Sequence, residues 1–275
     1  MPQTRGTFAE LHDNMDRAVF TLLGKEYKEL NPTWRKYFQV KNSSKRSELV
    51  QTVTGMGDVP EKGEGQPYTS DVIQAGYSKE FLHTEFGLMF EVTQTALEDD
   101  RYDVLSEYAK WLMFSARVVE EKRAAILFNN GLTTETTPDG VSVFNATHVL
   151  KGGGTARNQL TTAQNLSWTA LQTALTDWQR ETKFEAGQFM QPIDDLILLV
   201  PPELEFTAHR IVSSTLLPGS ADNDVNAIKS LRNIKVVVNV YLTDTNAWFL
   251  LAANKSHGFC SYTRVPMSME PAMTD

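Results

Sequence analysis

Three adjacent carboxylates, Glu98, Asp99 and Asp100, are the residue types that bind a divalent cation. Consecutive residues on a helix face different directions, and no histidine or further carboxylate is placed to complete a coordination shell. The trio reads better as the acidic start of a helix, where it complements the helix dipole. Lys151, Gly152, Gly153, Gly154 and Thr155 carry the composition of a phosphate cradle. The lysine precedes the glycines, however, and no strong buried strand leads into them, so the run reads as a hinge. The five histidines, His12, His83, His148, His209 and His257, are dispersed; only His209 has a carboxylate at helical spacing, Glu205, as on a solvated helix face. A small hydrolase or transferase would need His148 or His209 beside a nucleophile or carboxylate, and the spacing promises neither. Asp194 and Asp195 precede an apolar run and mark the exposed start of a strand. The chain has no GxSxG, HExxH, Walker, GxGxxG or CxxC motif. The expectation is no catalytic residue, no cofactor and no metal site.

Composition narrows the remaining classes. The 275 residues are 41% hydrophobic and 22% charged, enough for one elaborated unit or two compact ones, which excludes a disordered chain. A net charge of -8 argues against a protein that coats nucleic acid. One cysteine, Cys260, supports neither an intrachain disulfide nor a thiolate zinc site. The N-terminus lacks a signal-like apolar stretch, and runs such as Leu196 to Val200 fall far short of a membrane span. A soluble protein with no membrane partner is expected.

Leu11, Met15, Ala18, Val19, Leu22 and Leu23 recur at helical spacing before Gly24. Beyond Pro32, Arg35, Lys36, Lys41, Lys45 and Arg46 occur with no acidic residue among them, beside Trp34, Tyr37 and Phe38. Such a segment can stack on single-stranded nucleic acid or dock on an acidic protein surface, and no RNA-binding module favours the first. Residues 55 to 67 form a Gly- and Pro-rich flexible loop. Alternation of Leu82, Phe86, Leu88, Phe90 and Val92 with His83, Glu85, Glu91 and Thr93 predicts a strand over 81–93, about 43 Å long. With the loop before it, this suggests a long two-stranded arm that must be covered by something else. Val104, Tyr108, Trp111, Leu112, Ser115, Val118, Val119 and Ile126 predict a helix over 103–128, about 39 Å long, with a left-handed stop at Asn129, Asn130 and Gly131. A polar connector over 131–165 turns at Pro138, Asp139 and Gly140. A helix capped by Ser167 then leads to a buried strand over 196–200, a helix after Pro201 and Pro202, and strands over 234–240 and 247–251. The class is α+β, and arms that cannot bury their own apolar face favour interaction over catalysis.

FEVTQTALEDDRYD, ILFNNG, PDGVSVFNATHV, LLVPPELEFTAHRIVSS and VVVNVYLTDTNAWFLLA, in this order and spacing, resemble tailed-phage major capsid proteins of the Hong Kong 97 fold, in particular Mu-type major head subunits. The resemblance implies an N-terminal arm over 1–49, an extended β-hairpin loop over 50–94, a peripheral domain over 95–155 and 258–275 with its spine helix, and an axial domain over 156–257. It implies self-assembly as pentamers and hexamers into an icosahedral shell around packaged double-stranded DNA, held without sequence specificity. Assembly in the host cytoplasm and residence in the virion follow. Trp34, Arg35, Lys36, Lys45, Arg46, Lys79, Glu80 and Phe86 are the expected intersubunit contacts, and Gly76, Gly87, Gly152, Gly153 and Gly154 the expected hinges. Lys62 and Lys79 lie where some family members cross-link, but no asparagine or glutamate matches, so no covalent cross-link is expected. The family usually continues with another strand or two after CSYTRVPMSMEPAMTD, the short start implies that any scaffold is a separate protein, and the resemblance implies portal and possibly decoration proteins as further partners. An encapsulin-like cellular compartment, which shares the fold, is the alternative.

Overall fold

A computed structural model describes residues 32–89, 102–189, 194–217 and 224–268. The predicted helix at Leu11–Leu23 and the Glu98–Asp100 cluster lie outside these residues. A 3-10 turn at Thr33–Lys36 leads into β1 (Gln39–Asn42), β2 (Ser47–Val53) and β3 (Ala75–Leu82), then the long helix α1 (Tyr102–Asn129). Short strands β4 (His148–Val149) and β5 (Thr155–Ala156) precede α2 (Trp168–Glu181) and β6 (Asp195–Val200). Helices α3 (Glu205–Ser213) and α4 (Ala227–Leu231) are followed by β7 (Asn233–Val238), β8 (Phe249–Ala252) and β9 (Cys260–Thr263).

The centre is β6. It pairs in parallel with β7 and antiparallel with β8, and its two faces serve two cores. Ile197 and Leu199 pack with Trp34, Tyr37, Phe38, Phe128 and Leu251; Leu196, Leu198 and Val200 pack with Leu171, Ala208, Ile211 and Ile228. Burial on both faces is why LILLV is an unbroken apolar run rather than an alternating one. The first core holds an aromatic cluster in which Phe128 meets Tyr37, Phe38 and Phe259 edge-on and Phe144 stacked.

Local chemistry sets the element ends. Ser167 is extended and its hydroxyl accepts from the Ala170 N–H at 3.1 Å, starting α2 as expected. The stop of α1 differs from expectation, because none of Asn129, Asn130 and Gly131 takes a left-handed conformation. The Asn130 carbonyl instead accepts N–H bonds from Thr133, Thr134 and Glu135, and Asn129 clamps Tyr241 and Thr243. Gly131 is there for close approach, since a Cβ would stand 2.7 Å from the Phe144 ring.

The expected strand over 81–93 is also corrected. The strand starts earlier, at Ala75, and ends at Leu82; residues 83–89 form no strand, and 90–93 lie outside the described residues. Its partner sets the limit: β2 and β3 form an antiparallel hairpin whose last pair is Ser47 with Leu82, so residue 83 has no partner in the ladder. Sequence gave no sign of the parallel pairing of β1 with β9, which ties the basic segment to residues 260–263.

Candidate functional site

The nearest approach to catalytic geometry is in the connector. His148 Nδ1 lies 2.7 Å from Asp139 Oδ2, and Nε2 lies 3.2 Å from Asn158 Oδ1. Thr137 donates its hydroxyl to the other Asp139 oxygen, and Asn158 donates to the Val143 carbonyl at 2.7 Å. Both ring nitrogens and the neighbouring hydroxyl are thus engaged within the loop, and the group ties the Pro138–Gly140 turn to residues 145–158. Burial pushes the Asp139 carboxyl up, but the Thr137 hydroxyl and His148 outweigh it and hold it below the usual carboxylate range. Spacing alone did not reveal this pair, because the turn that returns residue 148 to residue 139 is a tertiary feature. His209 is exposed on α3 and makes no ion pair with Glu205. Among the described residues no group of three or more His, Cys, Asp or Glu stands where it would hold a metal. None of the described helices is long and apolar enough to cross a membrane.

The expected contact residues fall into separate places. Trp34 is 5% exposed, its ring sits in the first core, and its indole N–H points to Glu120 at 3.4 Å. Its ring therefore serves this chain's own packing. Burial of the adjacent Tyr37 and Phe38 removes the stacking surface that nucleic acid would need. Arg35, Lys36, Lys41, Lys45 and Arg46 are each exposed, in the segment from the 3-10 turn to just past β1. Cys260 and Tyr262 on β9 hold the Lys41 ammonium pKa above its ordinary value.

Lys79 reaches the Thr136 carbonyl and hydroxyl, the latter at 2.8 Å, and so ties the hairpin to its own connector. Lys151 over the Tyr77 ring at 4.3 Å does the same, and Gln188, beyond α2, bonds Asp58 of the hairpin loop at 2.7 Å. Glu80 is exposed and accepts from the Ser47 hydroxyl. Phe86 is exposed, with the Arg123 guanidinium of α1 5.5 Å from its ring centre. These ties are polar or cation–π contacts, and the hairpin leaves Leu49, Val53, Phe81 and Leu82 in solvent, Leu82 at 72% exposure.

The glycines differ in kind. At Gly76 a Cβ would run into the Thr52 hydroxyl and stand 2.9 Å from its carbonyl oxygen, and at Gly152 it would meet the Glu185 carbonyl at 2.5 Å. Both are close-packing positions. Gly153 and Gly154 have φ of 102° and 82°, and Gly87 has open space around it.

The described residues thus present an exposed apolar hairpin beside a long helix. A family model described as phage capsid protein matches residues 77–273. The chain belongs to the phage capsid protein family. Three solved structures of this kind share its fold. The bacteriophage JBD30 capsid aligns with a TM-score of 0.62 at 15% identity, covering 78% of this chain and 92% of that one. The JBD30 procapsid gives 0.59 at 14% identity, covering 87% and 100%. The JBD30 capsid decorated with minor capsid protein trimers gives 0.53 at 16% identity, covering 78% and 91%. A sequence comparison with curated proteins finds no match. As a phage capsid protein, the chain is a major shell subunit of the virion, and this reading stands over the cellular-compartment alternative.

Proposed function

We propose that this capsid protein is a Hong Kong 97-type head subunit, organised as the arm, extended loop, peripheral and axial domains laid out above. It assembles in the host cytoplasm as pentamers and hexamers that close into an icosahedral shell around double-stranded DNA. One observation carries the reading beyond the family match: the β2–β3 hairpin exposes Leu49, Val53, Phe81 and Leu82 and pairs with no third strand among the described residues. A bare hairpin is marginal in water, so a neighbouring subunit supplies its cover. Head-to-tail contacts of this kind close into rings.

Within that reading Arg35, Lys36, Lys45, Arg46, Glu80 and Phe86 touch neighbours, and Gly87, Gly153 and Gly154 absorb the differences between five- and six-fold surroundings. Scaffolding, portal and decoration proteins would be separate chains, packaged DNA would be held non-specifically, and no covalent cross-link or catalytic step is assigned. Size-exclusion with light scattering, followed by negative-stain microscopy, tests the proposal. Rings of five or six, or closed shells, are expected; a monomer of about 31 kDa that stays dispersed at high concentration and high salt would overturn it.

A further inference from the structure

His148 stands in the connector with both ring nitrogens against oxygen. Its side chain is 15% exposed and that of Asp139 11%. Nδ1 lies 2.7 Å from Asp139 Oδ2, and Nε2 lies 3.2 Å from Asn158 Oδ1. The backbone fixes which atom of Asn158 faces the ring. Its Oδ1 also accepts the Asn145 N–H at 2.8 Å, while its Nδ2 donates to the Val143 carbonyl at 2.7 Å. Turning the amide over would set its NH2 against an N–H and its oxygen against a carbonyl, so the oxygen stays toward His148. Neither a carboxylate nor an amide oxygen donates, and each ring nitrogen therefore makes its bond only as an N–H. A neutral imidazole carries one such hydrogen; the imidazolium carries two.

The charged surroundings suit the cation. Asp139 is the charged group that the structure sets against the ring. Cations on the adjoining segments are engaged elsewhere: Arg157 with Asp177 and Glu181 of α2, Lys183 with the Thr155 carbonyl, and Lys151 over Tyr77. The turn that carries Asp139 also receives the hairpin. The Asp139 carboxylate accepts the Thr137 hydroxyl, the Thr137 N–H meets the Val141 carbonyl at 2.9 Å, and Thr136 bridges to Ser142. From that closed turn the Thr136 carbonyl and hydroxyl hold Lys79 of β3.

We propose that His148 is a proton-operated latch: as imidazolium it fastens the 136–142 turn to residues 145–158, and the fastened turn holds the hairpin through Lys79. The latch is closed on the acid side, where both nitrogens carry hydrogen. As pH rises, Nε2, which faces the uncharged Asn158, gives up its proton and leaves a lone pair against the amide oxygen, so one bond is lost. At the acid end the latch holds until Asp139 is protonated. Burial pushes that carboxyl up, but the Thr137 hydroxyl and His148 hold it below the usual range, which extends the closed state downward in pH. The device belongs to one chain and does not rest on the shell reading.

The test is amide hydrogen exchange by mass spectrometry on the full chain at about pH 5.5 and about pH 8, which bracket the range where histidines change charge. Rates are corrected for the intrinsic effect of pH and compared in one assembly state. Peptides covering 136–147 and 75–82 should exchange about five-fold more slowly at the lower pH, the worth of one hydrogen bond. His148→Gln and Asp139→Asn should each remove that pH dependence; where one of them departs from the native circular dichroism spectrum, the other carries the comparison. Lys79→Met should remove it from 75–82 and keep it in 136–147. Equal protection of the native connector at both pH values would overturn the proposal, as would a pH dependence that survives His148→Gln and Asp139→Asn. Slowing of 75–82 at low pH that survives Lys79→Met would overturn the link to the hairpin.

Discussion

Asn226 shows what one buried side chain holds in place. It is 1% exposed, its amide donates to the Ile211 and Ser214 carbonyls, and its oxygen accepts from the Trp168 indole and the Ile228 N–H. One residue thus joins the start of α2, the end of α3 and the start of α4. Asn226→Ala should cost about 3 kcal/mol in urea unfolding, because buried donors and acceptors lose their partners. His257 gives a pH dependence. Burial first, and the Lys255 ammonium second, lower its pKa to about 4, while its Nδ1 accepts the Phe259 N–H at 3.1 Å. The depressed value means that the neutral form supports the fold above the ordinary pKa near 6.5, and that this support is lost as pH falls toward 4. The ring is partly exposed, so screening reduces the effect to about 2 kcal/mol. Urea midpoints at pH 7 and pH 4.5 should fall less for His257→Phe than for the native chain; equal falls would remove His257 as a cause. Neither residue stood out in the sequence, since a polar side chain declares its partners only when distant segments meet.

Elements were legible where burial wrote a period into the chain. Leu196–Val200, the Ser167 cap and the long helix came through because a two-sided core, a short polar cap and a helical stripe each leave a local signature. Leu198, fully buried against the helices, should cost about 3 to 4 kcal/mol when changed to Ala, read from chemical denaturation. The hairpin strands were misplaced for the opposite reason: Ala75–Leu82 is exposed on both faces, so no alternation marks it, whereas the alternating residues 83–89 have no partner strand. The glycines separate by the same logic of contact. Gly152→Ala should destabilise by about 1 to 3 kcal/mol through collision with the Glu185 carbonyl, while Gly87→Ala should leave stability within about 0.5 kcal/mol. Equal thermal midpoints for the two variants would refute that distinction.

At the scale of the whole molecule, the exposed basic segment from Arg35 to Arg46 stands out on a chain of net charge -8. Reversing Arg35, Lys36, Lys45 and Arg46 to Glu should weaken assembly most at low salt, where exposed charges are least screened. Light scattering unchanged at every salt concentration would remove that segment from the intersubunit contacts. Sequence by itself determined the class of this protein: an acidic α+β chain without catalytic motifs, with a buried central strand, a long helix and the ordered segments of a capsid subunit. Those features depend on composition and local periodicity, which a linear chain displays. Only the tertiary structure decided that Trp34 belongs to the core, that β1 joins β9, that His148 meets Asp139, and that Lys79 is tied to Thr136. Each of these depends on how the chain turns and which segments then meet, and such contacts leave no period in the sequence that could announce them.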